Sequence, residues 1–265
     1  MRVWIATNYD ELCREAARRI ACAVLHKPDG TLALPTGQTP KGMYRELVRL
    51  SREGIADLSQ TVVFNLDEYF GLPPDHPQSF RRYMKEHLLR HVQVREAHIP
   101  NSLASDPEAE CRRYEELIAS RGGIDLAVLG LGINGHIAFN EPGTPWESLT
   151  HLAELSPETR RREAQRFGGL EQVPHRAITM GIRTIMNARS ILLLASGKEK
   201  AEIVRRSLLG PVTPEVPASV LQLHPNVTVL LDRAAAPELP EQAPYLALSL
   251  IHISEPTRLG MISYA

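Results

Sequence analysis

The alternation of short apolar runs with amphipathic stretches is the feature that most limits how this chain can fold. The apolar runs have the length and composition of strands, and the amphipathic stretches carry apolar residues at helical spacing. The predicted strands are residues 2–6, 31–34, 61–66, 124–129, 177–180, 191–195 and 227–231, and the predicted helices are residues 10–25, 39–52, 78–92, 107–121 and 198–209. Such alternation favours an α/β fold in which helices cover both faces of a parallel sheet.

Length and composition are those of an ordinary globular protein. The chain has 265 residues, of which 43% are hydrophobic and 23% charged, enough for a core of normal density. No internal repeat and no Gly/Ser-rich linker divides the chain, so we expect one domain over residues 1–247. A net charge of -1 without long runs of one sign indicates neither nucleic acid nor a membrane as a partner.

The cysteines and the N-terminal sequence bear on the compartment. Cys13, Cys22 and Cys111 fall in predicted helices without close spacing, which argues against a disulfide framework or a zinc site. The first residues turn polar too early for a signal peptide, and no apolar run approaches the roughly 20 residues that cross a bilayer. We therefore predict a cytoplasmic protein.

Three unusual turns follow predicted strands, at the edge of the sheet where ligands bind in such folds. The first has the sequence LPTGQTP, residues 34–40. Backbone N–H groups of a Thr/Gly-rich turn before a helix can cradle a phosphate, and the hydroxyls of Thr36 and Thr39 would add donors. Thr39 followed by Pro40 is also a favourable helix start, so a simple capped turn explains this motif equally well.

The second turn, FNLDEY at residues 64–69, places Asp67 beside Glu68. Neighbouring residues of an extended segment point in opposite directions, so only one of the two carboxylates is expected to face a cleft. A carboxylate there can remove a proton next to a carbonyl or iminium group if its surroundings adjust its pKa. On these residues alone, a carboxylate that caps the following turn is the better explanation.

The third turn, GLGINGHIAFNEPG at residues 130–143, contains three glycines before His136. A histidine titrates near neutral pH, and Asn134 and Glu141 are close enough in sequence to orient it. The spacing fits a dinucleotide fingerprint only loosely, because Pro142 and Gly143 prevent the long helix that follows such a fingerprint. A lone histidine is more often structural, but these three residues in one Gly-rich loop favour an acid/base group.

Together with SGKEKA (residues 196–201) and PASVLQLHPNV (residues 217–227), these motifs resemble the glucosamine-6-phosphate deaminase family in order and spacing. The combination of FNLDEY with GHIAFNEPG is specific, since the related 6-phosphogluconolactonases carry a GHTASLFP-type loop instead. The resemblance extends to about residue 232. It implies a three-layer Rossmann-like fold with a mostly parallel central sheet. It also implies conversion of glucosamine 6-phosphate to fructose 6-phosphate and ammonia, without a cofactor or a metal ion.

The resemblance assigns roles to individual residues. Asp67 would move a proton between C2 and C1 of the substrate, and His136, aided by Glu141, would transfer protons when the sugar ring opens. Asn134 completes the predicted catalytic set. The residues that would bind the phosphate are Thr36, Gly37, Gln38, Thr39, Lys200 and, in a segment expected to act as a lid, Arg166.

Two residues depart from the family pattern. Some members have Asp where this chain has Asn134, and since an amide cannot act as a base, His136 and Glu141 must supply the acid/base chemistry. Gln38 is larger than the Gly or Ser expected in the phosphate loop, which would alter the affinity for phosphate.

Two other functions stay open at this point. The first is deamination or isomerisation of galactosamine 6-phosphate, because C4 epimers differ by a single hydroxyl contact. The second is a non-catalytic sugar-phosphate sensor, as related domains serve in transcriptional repressors. The lack of a helix-turn-helix motif or basic segment argues against a sensor. In each case the expected partner is a small phosphorylated sugar, and a homo-oligomer is allowed.

The sequence changes character near its C-terminal end. Residues 248–258, LSLIHISEPTR, contain no family motif and resemble an in-frame translation of a transposase adapter used in preparing sequencing libraries. The alternative is a divergent tail that packs on the last strand or on a neighbouring subunit. The polar, turn-like segment around Pro256 does not favour a core element. We therefore predict that residues 248–265 are a non-native tail.

Overall fold

The structure, a computed structural model, describes residues 1–236 and the backbone of residues 249–250. The strands are β1 (Arg2–Ala6), β2 (Thr31–Leu34), β3 (Val62–Asn65), β4 (Asp67–Tyr69), β5 (Glu96–His98), β6 (Leu126–Gly130), β7 (His151–Glu154), β8 (Arg176–Thr179), β9 (Ser190–Ala195), β10 (Val227–Asp232) and β11 (Ser249–Leu250). The helices are α1 (Tyr9–His26), α2 (Pro40–Arg52), α3 (Phe80–Met84), α4 (Pro107–Ser120), α5 (Pro157–Phe167), α6 (Ile182–Met186) and α7 (Ala201–Leu209). A π-helical turn (Lys85–Leu89) extends α3, and 3-10 turns occur at Leu170–Gln172, Lys198–Lys200 and Pro217–Leu223.

The central sheet has the strand order β11-β1-β10-β9-β6-β2-β3-β5. Each pair of neighbouring strands in this order is parallel. In the middle of the sheet, Val128 of β6 lies opposite Leu192 of β9, and Ala127 lies opposite Ala33 of β2. The predicted three-layer α/β fold with a mostly parallel sheet is therefore confirmed.

Side chains of the central strands alternate between two apolar layers. Leu192 and Leu194 pack with α1, α2 and the extended α3, whereas Ile191 and Leu193 pack with α4, α6 and α7. Burial on both faces explains why these strands are continuous apolar runs rather than alternating ones. The same burial made β6 and β9 easy to recognise in the sequence.

A second sheet, with the order β4-β8-β7, is antiparallel. The prediction that residues 177–180 belong to the parallel sheet was therefore wrong, because β8 pairs with β4, with Thr179 opposite Asp67. The predicted strand 61–66 ends at Asn65, and Asp67–Tyr69 forms the separate strand β4. Strands β4, β5 and β7 have three or four residues each, too few to show a periodic pattern, and the sequence analysis missed them.

The remaining helix predictions differ from the structure mainly at their ends. The helix predicted at residues 78–92 is shorter, because Ser79 is extended and the α-helix begins at Phe80 before it widens into the π-helical turn. The lid segment that contains Arg166 is helix α5, which lies between β7 and β8. Its first residues follow Ser156, whose hydroxyl accepts a hydrogen bond from the backbone of Thr159.

The direction of the strand order reverses between β2 and β6. From β2 the sheet grows through β3 to β5, and from β6 it grows through β9 and β10 to β1. Helix α2 follows β2 on one face, and α7 follows β9 on the other. Loops that leave in opposite directions open a crevice at the carboxyl edge of a parallel sheet. The loops after β2, β3, β6 and β9 meet at this crevice.

None of the helices that the structure describes is long and apolar enough to cross a membrane. Within the predicted non-native tail, the backbone of Ser249 and Leu250 pairs with Arg2 and Val3 of β1. Residues 248 and 251–265 of that tail lie outside the described residues.

Candidate active site

A cleft of about 1350 Å³ occupies the crevice at the carboxyl edge of the central sheet. The predicted site residues that line it are Thr36, Gly37, Gln38, Thr39, Asp67, His136, Arg166 and Lys200. The two others, Asn134 and Glu141, lie beside His136 and contact it or its backbone. The structure thus brings together residues that are as far apart as 36 and 200 in the sequence.

The adjacent carboxylates of Asp67 and Glu68 have different surroundings. Glu68 accepts hydrogen bonds from the backbone N–H groups of Tyr69, Phe80 and Arg81 at 2.9, 3.0 and 2.9 Å, and from the hydroxyl of Ser79 at 2.8 Å. It therefore holds the start of α3 against β4. The carboxylate of Asp67 accepts no hydrogen bond from the described part of the chain and lines the cleft. The capping role therefore belongs to Glu68, and Asp67 is the carboxylate that faces the cleft.

The pKa of the Asp67 carboxyl is raised to about 8. Burial is the main cause, since only 6% of the residue is exposed, and the charge of Glu68 adds to it. The residue itself is firmly placed, because its carbonyl accepts a hydrogen bond of 2.7 Å from the side chain of Asn65. A buried carboxyl with a pKa near neutrality can both remove and return a proton.

His136 lies against Glu141, with 3.5 Å between Nδ1 and the nearer carboxylate oxygen. Asn134 ties the two together, because its side-chain amide donates to that same oxygen at 2.6 Å and its oxygen accepts the backbone N–H of His136 at 3.2 Å. Asn134 is therefore a positioning residue in this loop. An Asp at this place could not donate such a hydrogen bond in its ionised form.

Glu141 is held as a carboxylate. Burial acts to raise its pKa, but His136 beside it and hydrogen bonds from Thr159 and Asn134 outweigh burial and lower the pKa to about 2. The Thr159 hydroxyl lies 2.5 Å from the second carboxylate oxygen. The imidazole of His136 thus lies beside a fixed carboxylate, an arrangement suited to proton transfer.

Gly132 allows His136 to take this position. A Cβ atom at residue 132 would lie 2.4 Å from the imidazole ring, far inside the distance of any real contact. The backbone N–H of Gly132 donates to the carbonyl of His136 at 2.9 Å, which closes the turn. The second glycine of the loop is therefore required by the close approach of the histidine ring.

The turn after β2 presents free donors to the cleft. The side chain of Thr39 makes no capping hydrogen bond, and its backbone is already helical, so a capped turn does not account for this motif. Within the described part of the chain, the backbone N–H groups of residues 36–39 donate to no acceptor. Such a row of N–H groups before a helix suits an anion such as phosphate.

Lys200 approaches the cleft from the turn after β9. Its ammonium group is buried and donates to the carbonyl of Leu131. Burial, assisted by the charge of Arg162, lowers its pKa to about 8. Asp232 holds the turn that precedes Lys200, because its carboxylate accepts hydrogen bonds from the Ser196 hydroxyl and the Gly197 backbone.

Helix α5 supplies two arginines to the cleft. Arg166 is half-buried and pairs with Glu163 at 2.8 Å, whereas Arg162 is exposed and lines the cleft one turn earlier. The sequence analysis found Arg166 but missed Arg162 and Thr159. The four-residue spacing of the two arginines was the available signal, since residues at this spacing lie on one face of a helix.

No group of three His, Cys, Asp or Glu side chains within the described ranges is arranged to hold a metal ion. Among the groups that line the cleft are the phosphate-binding candidates Lys200, Arg162 and Arg166, and the proton-transfer candidates His136 and Asp67. This arrangement can bind an anion at one end and transfer protons at the other.

Comparisons with known proteins agree with this arrangement. Residues 6–230 match the family described as glucosamine-6-phosphate isomerases/6-phosphogluconolactonase. The glucosamine-6-phosphate deaminase of Geobacillus sp. is 50% identical over 244 residues, which cover 91% of this chain and 97% of that protein. The same enzyme of Thermoanaerobacter pseudethanolicus is 46% identical over 244 residues, covering 91% and 96%.

Solved structures give a consistent comparison. A monomeric glucosamine-6-phosphate deaminase superposes with a TM-score of 0.86 at 46% identity, covering 89% of this chain and 98% of that one. A 6-phosphogluconolactonase from Trypanosoma brucei superposes with a TM-score of 0.73 at 22% identity, covering 88% and 97%. The similarity to the 6-phosphogluconolactonase shows only that the two proteins share a fold.

Proposed function

Because this chain belongs to the glucosamine-6-phosphate isomerase and 6-phosphogluconolactonase family, we propose that it converts glucosamine 6-phosphate to fructose 6-phosphate and ammonia. The observation that carries this function is the buried carboxyl of Asp67, which faces the cleft. The neighbouring carboxylate of Glu68 is instead hydrogen-bonded to the start of α3. An aldose–ketose isomerisation needs one such group to move a proton between neighbouring carbons.

The phosphate of the substrate binds to the turn of residues 36–39. The free backbone N–H groups there, the hydroxyls of Thr36 and Thr39, and the cations Lys200 and Arg166 all belong to residues that line the cleft. Arg162 also lines the cleft and adds a further positive charge. Binding energy gained at the phosphate orients the sugar carbons against Asp67 and His136.

His136 and Glu141 open the sugar ring. Ring opening needs a proton at the ring oxygen and the loss of a proton from the anomeric hydroxyl. An imidazole beside a permanent carboxylate can exchange protons with both positions, and the hydrogen bonds of Asn134 and Thr159 keep the carboxylate in place.

Asp67 then carries out the isomerisation. In its ionised form it removes the proton from C2 of the open-chain aldehyde, which gives an enolamine, and it returns a proton to C1. The product is an iminium ion at C2. Water adds to this carbon and ammonia leaves, so that the substrate and one water yield the ketose phosphate and ammonia.

The two other functions differ from this one in what the cleft does. A galactosamine 6-phosphate deaminase would use the same groups with one changed hydroxyl contact. A non-catalytic sensor has no need of a reactive carboxyl, and Asp67, His136 and Glu141 together argue against it.

A phosphorylated sugar does not cross a bilayer unaided, which supports a cytoplasmic enzyme. The relative described as monomeric favours a monomer over a homo-oligomer.

An ammonia-release assay tests the proposed function. Glucosamine 6-phosphate, galactosamine 6-phosphate and unphosphorylated glucosamine are compared at equal concentrations, and fructose 6-phosphate is measured alongside ammonia. We expect equal amounts of both products from glucosamine 6-phosphate, and much less reaction without the phosphate. A higher kcat/KM for the galacto epimer would favour that alternative, and binding without ammonia release would favour a sensor.

A further inference from the structure

Three tyrosine hydroxyls from three different helices contact the carbonyl groups of the phosphate-binding turn. Tyr44 of α2 donates to the carbonyl of Pro35 at 2.6 Å, and Tyr83 of α3 donates to that of Gly37 at 2.7 Å. The hydroxyl of Tyr9 in α1 lies 2.9 Å from the carbonyl of Thr39 and 3.2 Å from that of Gln38. The carbonyls of this turn thus face the helices rather than the cleft.

The orientation of a carbonyl determines that of the next N–H group. In a trans peptide the C=O and the following N–H are coplanar and point in opposite directions. The contacts to Pro35 and Gly37 therefore orient the N–H groups of Thr36 and Gln38 away from the helices. The contact of Tyr9 with the carbonyl of Gln38 does the same for Thr39.

We propose that Tyr9, Tyr44 and Tyr83 are positioning residues that hold this turn in its phosphate-binding conformation before the substrate arrives. This inference rests on the proposed function, since it concerns the site at which the phosphate of the substrate binds. Backbone N–H groups that are already oriented lose less conformational freedom when phosphate binds, so the affinity of the turn for phosphate is higher.

The backbone of the turn does not by itself hold this conformation. Gly37 has a φ of 107°, in the left-handed region, and a Cβ at this residue would meet nothing within 4 Å. In the described part of the chain, its main internal hydrogen bond is that from the Lys41 N–H to the Gln38 carbonyl, at 3.2 Å. The tyrosines thus supply contacts that an open, glycine-containing turn lacks.

The hydroxyl of Tyr9 has a defined direction as well. It accepts the backbone N–H of Gly42 at 3.0 Å, which leaves its own proton for the carbonyls of the turn. A Cβ at residue 42 would lie 3.0 Å from this hydroxyl and 2.4 Å from the sulfur of Cys13, so only glycine leaves room for the contact. Burial raises the pKa of Tyr9 to about 12 and also raises those of Tyr44 and Tyr83, so all three stay protonated donors near neutral pH.

The test uses Tyr83→Phe, Tyr9→Phe and the double variant, with inorganic phosphate as the probe. Calorimetric titration gives its Kd directly, and competitive inhibition of ammonia release gives it independently. Tyr114→Phe is the matched control, because that hydroxyl also donates to backbone carbonyls, those of Asn65 and His98, but does not touch the turn.

We expect the Kd for inorganic phosphate to rise about three- to tenfold in each single variant, and further in the double variant. The KM for glucosamine 6-phosphate should rise in parallel, by a larger factor than kcat falls. Tyr114→Phe should lower the Tm but leave the Kd for phosphate within about twofold of that of the wild-type protein. Because Tyr9 is only partly buried, Tyr9→Phe keeps the test informative if Tyr83→Phe does not fold.

Unchanged phosphate affinity in folded Tyr9→Phe and Tyr83→Phe proteins would overturn the inference while leaving the proposed function intact. An equal loss in Tyr114→Phe would also overturn it, because the effect would then be one of general stability. A wild-type protein that does not bind phosphate in competition with the sugar would overturn the phosphate site and this inference together.

Discussion

The carboxylates of Asp67 and Glu68 are adjacent in the chain, yet one faces the cleft and the other closes the first turn of α3. Four hydrogen bonds hold Glu68 in place. Asp67 is buried, and its carboxylate accepts no hydrogen bond from the described residues, so its pKa rises to about 8. Strand geometry produces this division, since neighbouring side chains of β4 point to opposite faces.

The activity is predicted to depend on pH in both directions. Asp67 removes a proton only when ionised, so kcat/KM should rise as the pH increases towards its pKa of about 8. Lys200 binds the phosphate best when protonated, and its pKa is also about 8, so kcat/KM should fall at higher pH. Plotted against pH, kcat/KM from initial rates should therefore give a narrow bell-shaped curve.

Lys200→Gln should raise KM and remove the fall of kcat/KM at alkaline pH. A wild-type profile in which kcat/KM does not fall at acidic pH would contradict the role of Asp67.

His136→Gln should impair ring opening more than proton transfer at carbon. We expect kcat/KM for glucosamine 6-phosphate to fall about 10²–10⁴-fold, as is typical of an acid/base group. An analogue without the C5 hydroxyl cannot close the pyranose ring, and its turnover should suffer much less. Steady-state rates on both substrates provide the measurement. Equal losses on the two would show that His136 does not act at the ring oxygen.

Gly132→Ala should displace the imidazole of His136, because the added Cβ would lie 2.4 Å from the ring. Its kcat/KM should therefore fall towards that of His136→Gln. Gly130→Ala, at the last residue of β6 before this loop, is the control, since a Cβ at residue 130 meets no other atom within 4 Å. Comparing the two alanine variants by kcat/KM and Tm separates displacement of His136 from the addition of a methyl group. Similar activities in both would refute this account of the loop.

Much of the fold followed from the sequence because strands β6, β9 and β10 are buried on both faces and read as continuous apolar runs. The assignment of β8 failed because its pattern suits either sheet, and its place depends on pairing with β4. The sequence indicated that one carboxylate of FNLDEY faces the cleft. The family resemblance named Asp67 as that carboxylate, and the start of α3 shows that Glu68 serves as a helix cap instead. The contacts of Tyr9 and Tyr83 join distant helices and left no local signal.

Residues 248–265 are predicted to be a non-native tail, and deleting them should leave Tm and kcat/KM unchanged. In the described part of the chain, this segment contributes a two-residue strand at the edge of the central sheet, beside β1. So short an edge strand adds little to stability. Thermal unfolding and ammonia release of the shortened protein provide the comparison. A deletion that unfolds the protein, or an adapter-free read of the gene with the same codons, would refute the prediction.

Exchange of the C2 proton tests the central claim most directly. When the reaction runs in deuterated water, the wild-type enzyme should exchange the C2 proton of glucosamine 6-phosphate with solvent and place deuterium at C1 of the product. Asp67→Asn should still bind the substrate, but its turnover should fall by more than about 10⁴-fold and its exchange should stop. Glu68→Gln is the control, with a lower Tm but continued exchange. Near wild-type exchange in Asp67→Asn would contradict the account.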